Sequence, residues 1–285
     1  MSDISIYEVG PRDGLQNSKF TLSPSEKIYM VESLYNGGLT DIEVTSFVHP
    51  KYVPHMADAE QVFIGTKHLA DFGVLVPNQR GFDRAKEVGA EKFNVFFSSS
   101  NEFNQRNLGK NFEQVYPDLL TMLEDIDTKN VRAYISCAFG CPFEGMPKDH
   151  ELKEIMVKAD AIADTIVLCD TIGTAHPLRM VHTLDMTRTL DAEVALHLHE
   201  RDDAHANILS NVHTAADWGV TKFDASIAGL GGCPFIPGSG SNLSTNKLIN
   251  WGYDNGYDTG VELSELSEIT HWLSDKSKKI NKLLC

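Results

Sequence analysis

The chain has 285 residues, of which 42% are hydrophobic, 23% charged and 9% aromatic. These values belong to an ordinary globular protein and exclude collagen-like, disordered and coiled-coil classes. Acidic residues outnumber basic ones 40 to 25, a formal charge of -15, so the surface as a whole repels nucleic-acid phosphates and anionic membranes. Neither is an expected partner, and an anionic small substrate needs a locally basic site.

Short β-branched or aromatic runs alternate with longer helical patterns. Strand-like runs fall at 4–9, 41–45, 72–76, 92–97, 131–137, 165–169, 193–199 and 222–225, bounded by Gly, Asp or Asn. The first helix opens on Ser23-Pro24-Ser25-Glu26. Ser23 suits the N-cap, Pro24 the first helical position and Glu26 a capping box. Ile28, Val31 and Tyr35 share one face, and Gly37-Gly38 end the helix. Further helices are expected at 57–69, 79–88, 111–127, 149–162, 177–189, 204–218, 243–251 and 262–281. Eight strands alternating with helices over about 250 residues fit a (β/α)8 TIM barrel. An open doubly wound sheet is the alternative. No Gly-x-Gly-x-x-Gly follows the first run, which favours the barrel. No linker divides the sequence, so 1–285 reads as one catalytic domain with an added C-terminal helical segment. The amphipathic segment 261–284 suits packing on the barrel or on a second copy, as in a homodimer.

The five cysteines (Cys137, Cys141, Cys169, Cys233 and Cys285) are too few and too scattered for a disulfide framework. Met1-Ser2-Asp3-Ile4 shows no basic and apolar leader, and no run is long enough to span a membrane. A reducing, cytoplasmic setting is expected. Cys137, Cys141 and Cys169 read as small buried hydrophobes. Cys137-x-x-x-Cys141 lacks the second pair of a zinc site. Cys285 reads as exposed. Trp218, Trp251 and Trp272 read as packing, and the basic run 276–279 as a solvated helix end.

In a barrel the chemistry sits at the C-terminal strand ends. Those ends here carry Arg12-Asp13-Gly14-x-Gln16, then Glu43, Thr45 and Ser46, then Asp170-Thr171, then His197-Leu198-His199. The eighth run leads into a Gly-rich loop with Cys233 and on to Asn242. Alternate strand residues share a face, so both imidazoles point the same way. They either hydrogen-bond in the core or share a divalent cation, with Asp13 and the Asn242 carbonyl as oxygen ligands. Two nitrogens, two oxygens and waters suit octahedral Mg²⁺ or Mn²⁺. Arg12 suits an oxyanion or enolate, or else a plain ion pair with Glu43 or Asp170. Cys233 suits a base or nucleophile, or a small buried hydrophobe.

Together these residues resemble the 3-hydroxy-3-methylglutaryl-CoA lyase family, bacterial type, within the metal-dependent TIM-barrel lyases. The similarity runs from Tyr7-Glu8-Val9-Gly10-Pro11-Arg12-Asp13-Gly14-Leu15-Gln16-Asn17 to about Leu248. It passes through Ile42-Glu43-Val44-Thr45-Ser46-Phe47, the segment 139–145, Asp170-Thr171-Ile172-Gly173, His197-x-His199 and Gly229-Leu230-Gly231-Gly232-Cys233-Pro234. The resemblance implies a divalent cation on Asp13, His197, His199 and Asn242. It implies a catalytic set of Arg12, His197 and Cys233, supported by Glu43, Asp170 and Gln16. Arg12, Lys19 and Thr171 would contact the acyl-CoA substrate; Lys19 and Lys110 are candidates for its phosphates. The family reaction is a retro-Claisen cleavage of 3-hydroxy-3-methylglutaryl-CoA to acetyl-CoA and acetoacetate. A lyase for a related 3-hydroxyacyl-CoA, a Claisen condensing enzyme or aldolase, and a non-catalytic CoA-ester-binding barrel are the alternatives. Two stretches depart from the family pattern. Glu200-Arg201-Asp202-Asp203-Ala204-His205 follows His199 without the usual glycine turn, and Asn246-Lys247 stands where an acidic pair is usual.

Overall fold

The computed structural model describes residues 3–201, 207–232 and 241–281. Its eight strands are β1 (Ser5–Glu8), β2 (Asp41–Ser46), β3 (Gly73–Leu75), β4 (Lys92–Ser98), β5 (Val131–Ser136), β6 (Thr165–Asp170), β7 (Glu193–Leu198) and β8 (Lys222–Ala225). They close in chain order into a barrel. The ring shuts where β1 pairs in parallel with β8, Tyr7 opposite Asp224. The helices between and after them are α1 (Pro24–Asn36), α2 (Ala59–Thr66), α3 (Gln79–Glu87), α4 (Asn101–Leu108), α5 (Phe112–Met122), α6 (Asp149–Asp160), α7 (Pro177–Asp185), α8 (Ile208–Trp218), α9 (Thr245–Asn255) and α10 (Ser267–Asn281).

The strands are buried on both faces, as in any parallel barrel under a helical coat. Ile42 and Val44 of β2, Phe93, Val95 and Phe97 of β4, and Leu196 and Leu198 of β7 join the apolar layer beneath the helices. The alternate positions turn inward and are polar: Glu43, Asn94 and His197 are buried. The period of two therefore separates a packing face from a functional face along the same strand.

All eight expected strands are present. The first ends at Glu8 rather than residue 9, and Gly10–Gly14 coil into a single wide helical turn at the mouth. The seventh ends at Leu198, and His199 instead forms an isolated bridge with Asn242. Helix α4 was not expected; its sequence is polar, and what starts it is a cap, Ser100 Oγ accepting from Phe103 N at 3.1 Å. The expected helix 111–127 stops at Met122, and 177–189 stops at Asp185. The expected start at 204 lies outside the described residues; from Ile208 onward α8 is present, capped by Asn207. Helix α9 starts at Thr245 and runs on to Asn255, beyond the expected end at 251, where Gly256 caps it in the left-handed region.

The C-terminal segment packs on its own barrel. Leu266, Ile269 and Leu273 are buried, Tyr29 of α1 meets Trp272 edge-on with centroids 5.2 Å apart, and Lys276 pairs with Glu26. Lys276 is thus not the purely solvated end expected, because α10 lies across the start of α1. Among the described residues no helix is long and apolar enough to cross a membrane. Cys137, Cys141 and Cys169 are free and buried; Cys233 and Cys285 lie outside the described residues.

The α1 capping box is complete. Ser23 N donates to Glu26 Oε2 at 2.8 Å, and Ser23 Oγ accepts from Glu26 N at 3.4 Å. Ser23→Ala should therefore cost about 1 kcal/mol of stability. Urea unfolding followed by circular dichroism measures it; an unchanged midpoint would mean the cap contributes nothing.

Candidate active site

The turn at Gly10–Gly14 carries Arg12 and Asp13 to the barrel mouth. It is held from below by Glu8, a wholly buried carboxylate that sequence reasoning passed over as a mid-strand residue. Glu8 Oε1 accepts from Gly10 N at 2.8 Å and Ile227 N at 2.9 Å, and Oε2 accepts from Thr245 Oγ1 at 2.5 Å. One side chain thereby ties the end of β1 to the loop after β8 and to the start of α9. Burial pushes the Glu8 carboxyl up to about 7, against the pull of these three donors.

Arg12 is buried between two carboxylates. Its Nε donates to Glu43 Oε2, and its Nη1 donates to Asp13 Oδ1 at 2.6 Å. Burial disfavours its charge, but Glu43 and Asp13 more than offset this and hold its pKa above the ordinary value. The expected ion pair with Glu43 is present. The alternative partner, Asp170, is engaged elsewhere: its carboxylate accepts from Thr174 N and Ala175 N, each at 2.9 Å. Burial raises the Asp170 carboxyl to about 6, the backbone amides opposing it. Asp170 thus shapes the turn that places Thr171.

Two segments complete the site. Asn242 Nδ2 donates to Asp13 Oδ2 and to Leu230 O, both at 2.8 Å. Its approach depends on Gly231, whose φ is +100°; a Cβ there would lie 2.6 Å from Asn242 Nδ2. His197 and His199 project from the end of β7 with their Nε2 atoms 3.2 Å apart. The ligand atoms of Asp13, His197 and His199 all lie within 4.8 Å of one another. This is the juxtaposition that the strand-end rule anticipated.

The imidazoles are oriented from behind. His197 Nδ1 faces Asp224 Oδ2 at 3.1 Å, and His199 Nδ1 faces Thr171 O at 2.9 Å. Asp224 is itself fixed by Arg132 Nη2 at 2.6 Å. An acceptor behind each Nδ1 places its proton there, so both Nε2 lone pairs point at each other. Either a proton or a metal ion must lie between them. The carboxylate of Asp13 and the buried Asn242 Oδ1, which has no hydrogen-bond partner among the described residues, match a divalent cation better than a proton. The donor set, two imidazoles with oxygen ligands, suits a divalent cation.

Other expected residues are placed differently. Gln16 is half-buried directly after the Arg12 turn, and Lys19 is exposed in the loop before α1. Thr171 Oγ1 accepts from Cys137 N at 2.7 Å, and its carbonyl serves His199. Lys110 is exposed and paired with Asp118. Asp224, Arg132, Asn94 and Tyr7 were missed. The period-two alternation placed them on inner faces, but only strand pairing shows which of them meet.

Fold and site together define a (β/α)8-barrel enzyme class with a two-histidine, one-aspartate centre at the strand ends. A family model described as HMGL-like matches residues 3–273. The hydroxymethylglutaryl-CoA lyase of Bacillus subtilis is 36% identical over 97% of this chain and 94% of its own. The human mitochondrial hydroxymethylglutaryl-CoA lyase is 37% identical over 95% of this chain and 84% of its own. An HMG-CoA lyase of Acinetobacter baumannii, solved with coenzyme A and 3-methylmalate, superposes with a TM-score of 0.90 at 30% identity, covering 97% of this chain and 92% of that one. The chain belongs to the HMGL-like family.

Metal binding at this centre should depend on pH in a definite sense. Burial would raise the Asp13 carboxyl, but Arg12 and both histidines outweigh it and hold it at about 2. Burial and the neighbouring His197 push His199 down to about 4. For His197, burial opposes the charge, but the Asp224 bond and the Asp13 charge raise its pKa above the ordinary value. A metal therefore displaces a proton only from His197, and affinity should fall as pH drops through that raised pKa. Asp224→Asn should weaken Mn²⁺ binding about 10- to 100-fold and move the pH dependence downward. Calorimetric titration across pH measures both; wild-type affinity in Asp224→Asn at every pH would refute the support assigned to Asp224.

Proposed function

We propose that this chain cleaves 3-hydroxy-3-methylglutaryl-CoA to acetyl-CoA and acetoacetate with the aid of a divalent cation, Mg²⁺ or Mn²⁺. What carries the reading is the convergence of Asp13, His197 and His199 within 4.8 Å, with Arg12 bonded to Asp13 at 2.6 Å, in a chain of the HMGL-like family. We read 1–285 as one catalytic domain.

Retro-Claisen cleavage needs the tertiary hydroxyl to lose its proton. The carbon–carbon bond then breaks, its electron pair passes to the thioester as an enolate, and that enolate takes a proton to become acetyl-CoA. Asp13, His197, His199 and Asn242 would hold the cation, which when bound supplies the polarisation that lowers the hydroxyl pKa. Arg12 provides fixed positive charge for the enolate oxygen. Its Nε and Nη1 are committed to Glu43 and Asp13, which sets the guanidinium plane, and its Nη2 has no partner among the described residues. Glu43 holds Arg12, and Asp170 sets the turn that presents Thr171, a contact for the acyl end. Gln16 flanks the same mouth. Cys233, outside the described residues, is the proton carrier that the family resemblance implies. A working thiol suits a reducing, cytoplasmic setting, in keeping with the three free buried cysteines. Lys19, exposed beside the mouth, is the cation offered to the CoA phosphates.

The direct test is incubation with 3-hydroxy-3-methylglutaryl-CoA and Mg²⁺ or Mn²⁺. Acetyl-CoA release is expected; no product from metal-loaded protein overturns the reading. Arg12→Met should lower kcat by about 10²- to 10³-fold, the usual cost of one oxyanion donor. Cys233→Ala should abolish turnover while calorimetry still shows metal binding.

A further inference from the structure

Beneath the metal ligands the barrel holds a floor of polar side chains, of which Tyr7 and Asn94 have no role in the mechanism above. Tyr7 of β1 lies at its centre. Its hydroxyl accepts from Asn94 Nδ2 at 2.9 Å, and the same amide donates to Glu43 Oε1 at 2.7 Å. Glu43 in turn receives Arg12 Nε, and Arg12 binds Asp13. That is one arm, running from the Tyr7 hydroxyl to a metal ligand. The other runs from the Tyr7 ring. The Arg132 guanidinium stacks on it with Cζ 3.9 Å from the ring centroid, donates to Asp224 at 2.6 Å, and through Asp224 supports His197 at 3.1 Å.

The floor is built around this phenol. A Cβ on Gly73 of β3 would lie 2.0 Å from the Tyr7 hydroxyl, so the ring reaches Asn94 only because β3 has a glycine there. Tyr7 is buried, and burial together with Glu43 keeps its phenol far above the ordinary pKa. It is therefore a fixed neutral anchor.

We propose that Tyr7 is a positioning residue for this site, its hydroxyl setting the Arg12 guanidinium through Asn94 and Glu43, its ring setting the metal ligand His197 through Arg132 and Asp224. This deepens the lyase reading and rests on it for the catalytic arm alone. The two arms are chemically separable. A phenyl ring keeps the surface on which Arg132 stacks and loses only the hydroxyl. A leucine loses both.

The test pairs Mn²⁺ calorimetry with steady-state kinetics on 3-hydroxy-3-methylglutaryl-CoA. Tyr7→Phe should leave Mn²⁺ affinity unchanged, leave KM unchanged and lower kcat about tenfold, within the range for groups that orient a site from behind. Asn94→Leu should reproduce that kcat loss, and the double variant should be no worse than either single one, because both cut the same chain. Tyr7→Leu should in addition weaken Mn²⁺ binding about 10- to 100-fold. Thermal melts identify a variant that fails to fold, and Tyr7→Phe, the mildest change, then decides. Wild-type kcat in Tyr7→Phe overturns the hydroxyl arm. Equal loss of Mn²⁺ affinity in Tyr7→Phe and Tyr7→Leu overturns the separation of the arms. If the wild-type protein turns over no thioester, the lyase reading fails, while the Mn²⁺ contrast between the two Tyr7 variants still decides the ring arm.

Discussion

Two imidazole nitrogens 3.2 Å apart, each with its other nitrogen against an acceptor, need a proton or a cation between them. The repulsion between the Nε2 lone pairs has to be answered by positive charge. Every strongly placed group around them bears on that requirement. Asp13 brings an anion to the same point, Asn242 brings a carbonyl oxygen with no other partner, and Arg12 keeps the Asp13 carboxylate ionised. A site so arranged is compatible with a divalent cation.

The buried charges follow a single alternating chain: Glu43, Arg12, Asp13, the cation position, the histidines, Asp224 and Arg132. A buried ion pair adds little net stability, because desolvation offsets the attraction, whereas removing one partner costs about 3–5 kcal/mol. Their value here is geometric. Each charge has neighbours of opposite sign, such as Arg12 between Glu43 and Asp13 and Asp224 against Arg132, so no member can shift without exposing another. Glu8 is the exception. It is held by two backbone amides and a hydroxyl rather than by a cation, and burial raises its carboxyl to about 7 against these bonds. It organises loops and carries none of the alternating charge.

The legible part of the sequence was the part set by local periodicity. The strands could be read because β-branched and aromatic runs are short and bounded, and His197-x-His199 because alternation puts both on one face. Asp13 and Arg12 could be placed because a barrel's strand ends face the same mouth. Asp224, Arg132, Asn94 and Tyr7 could not be connected, since their meeting depends on register between strands distant in sequence: Asn94 opposite Arg132, Tyr7 opposite Asp224. Periodicity fixes a face and leaves register undetermined. Helix α4 was missed for a different reason. Phe103 is its one large buried apolar side chain besides the polar Asn104, so it shows no amphipathic stripe and is held by its cap and by Glu144 reaching Ser100 and Glu102 N. The coil at Gly10–Gly14 had no local signal because Glu8 and the loop after β8 create it.

Glu200 and Lys247, one residue from each stretch that departs from the family pattern, meet in the structure. Lys247, standing where an acidic residue is usual, places its Nζ 2.8 and 2.6 Å from the two carboxylate oxygens of Glu200, the residue that follows the His199 ligand. Read separately, each change alters the charge beside the centre. Read together, they cancel, and the pair spans from the end of β7 to the first turn of α9. The backbones it joins are already bonded: Glu200 N donates to Ser241 O at 2.7 Å, and Leu243 N to Leu198 O at 2.9 Å. His199 and Asn242 lie opposite each other in that bridge. The ion pair is half-exposed and contributes little energy by itself, so its consequence is local order. It braces the segments that bear His199 and Asn242.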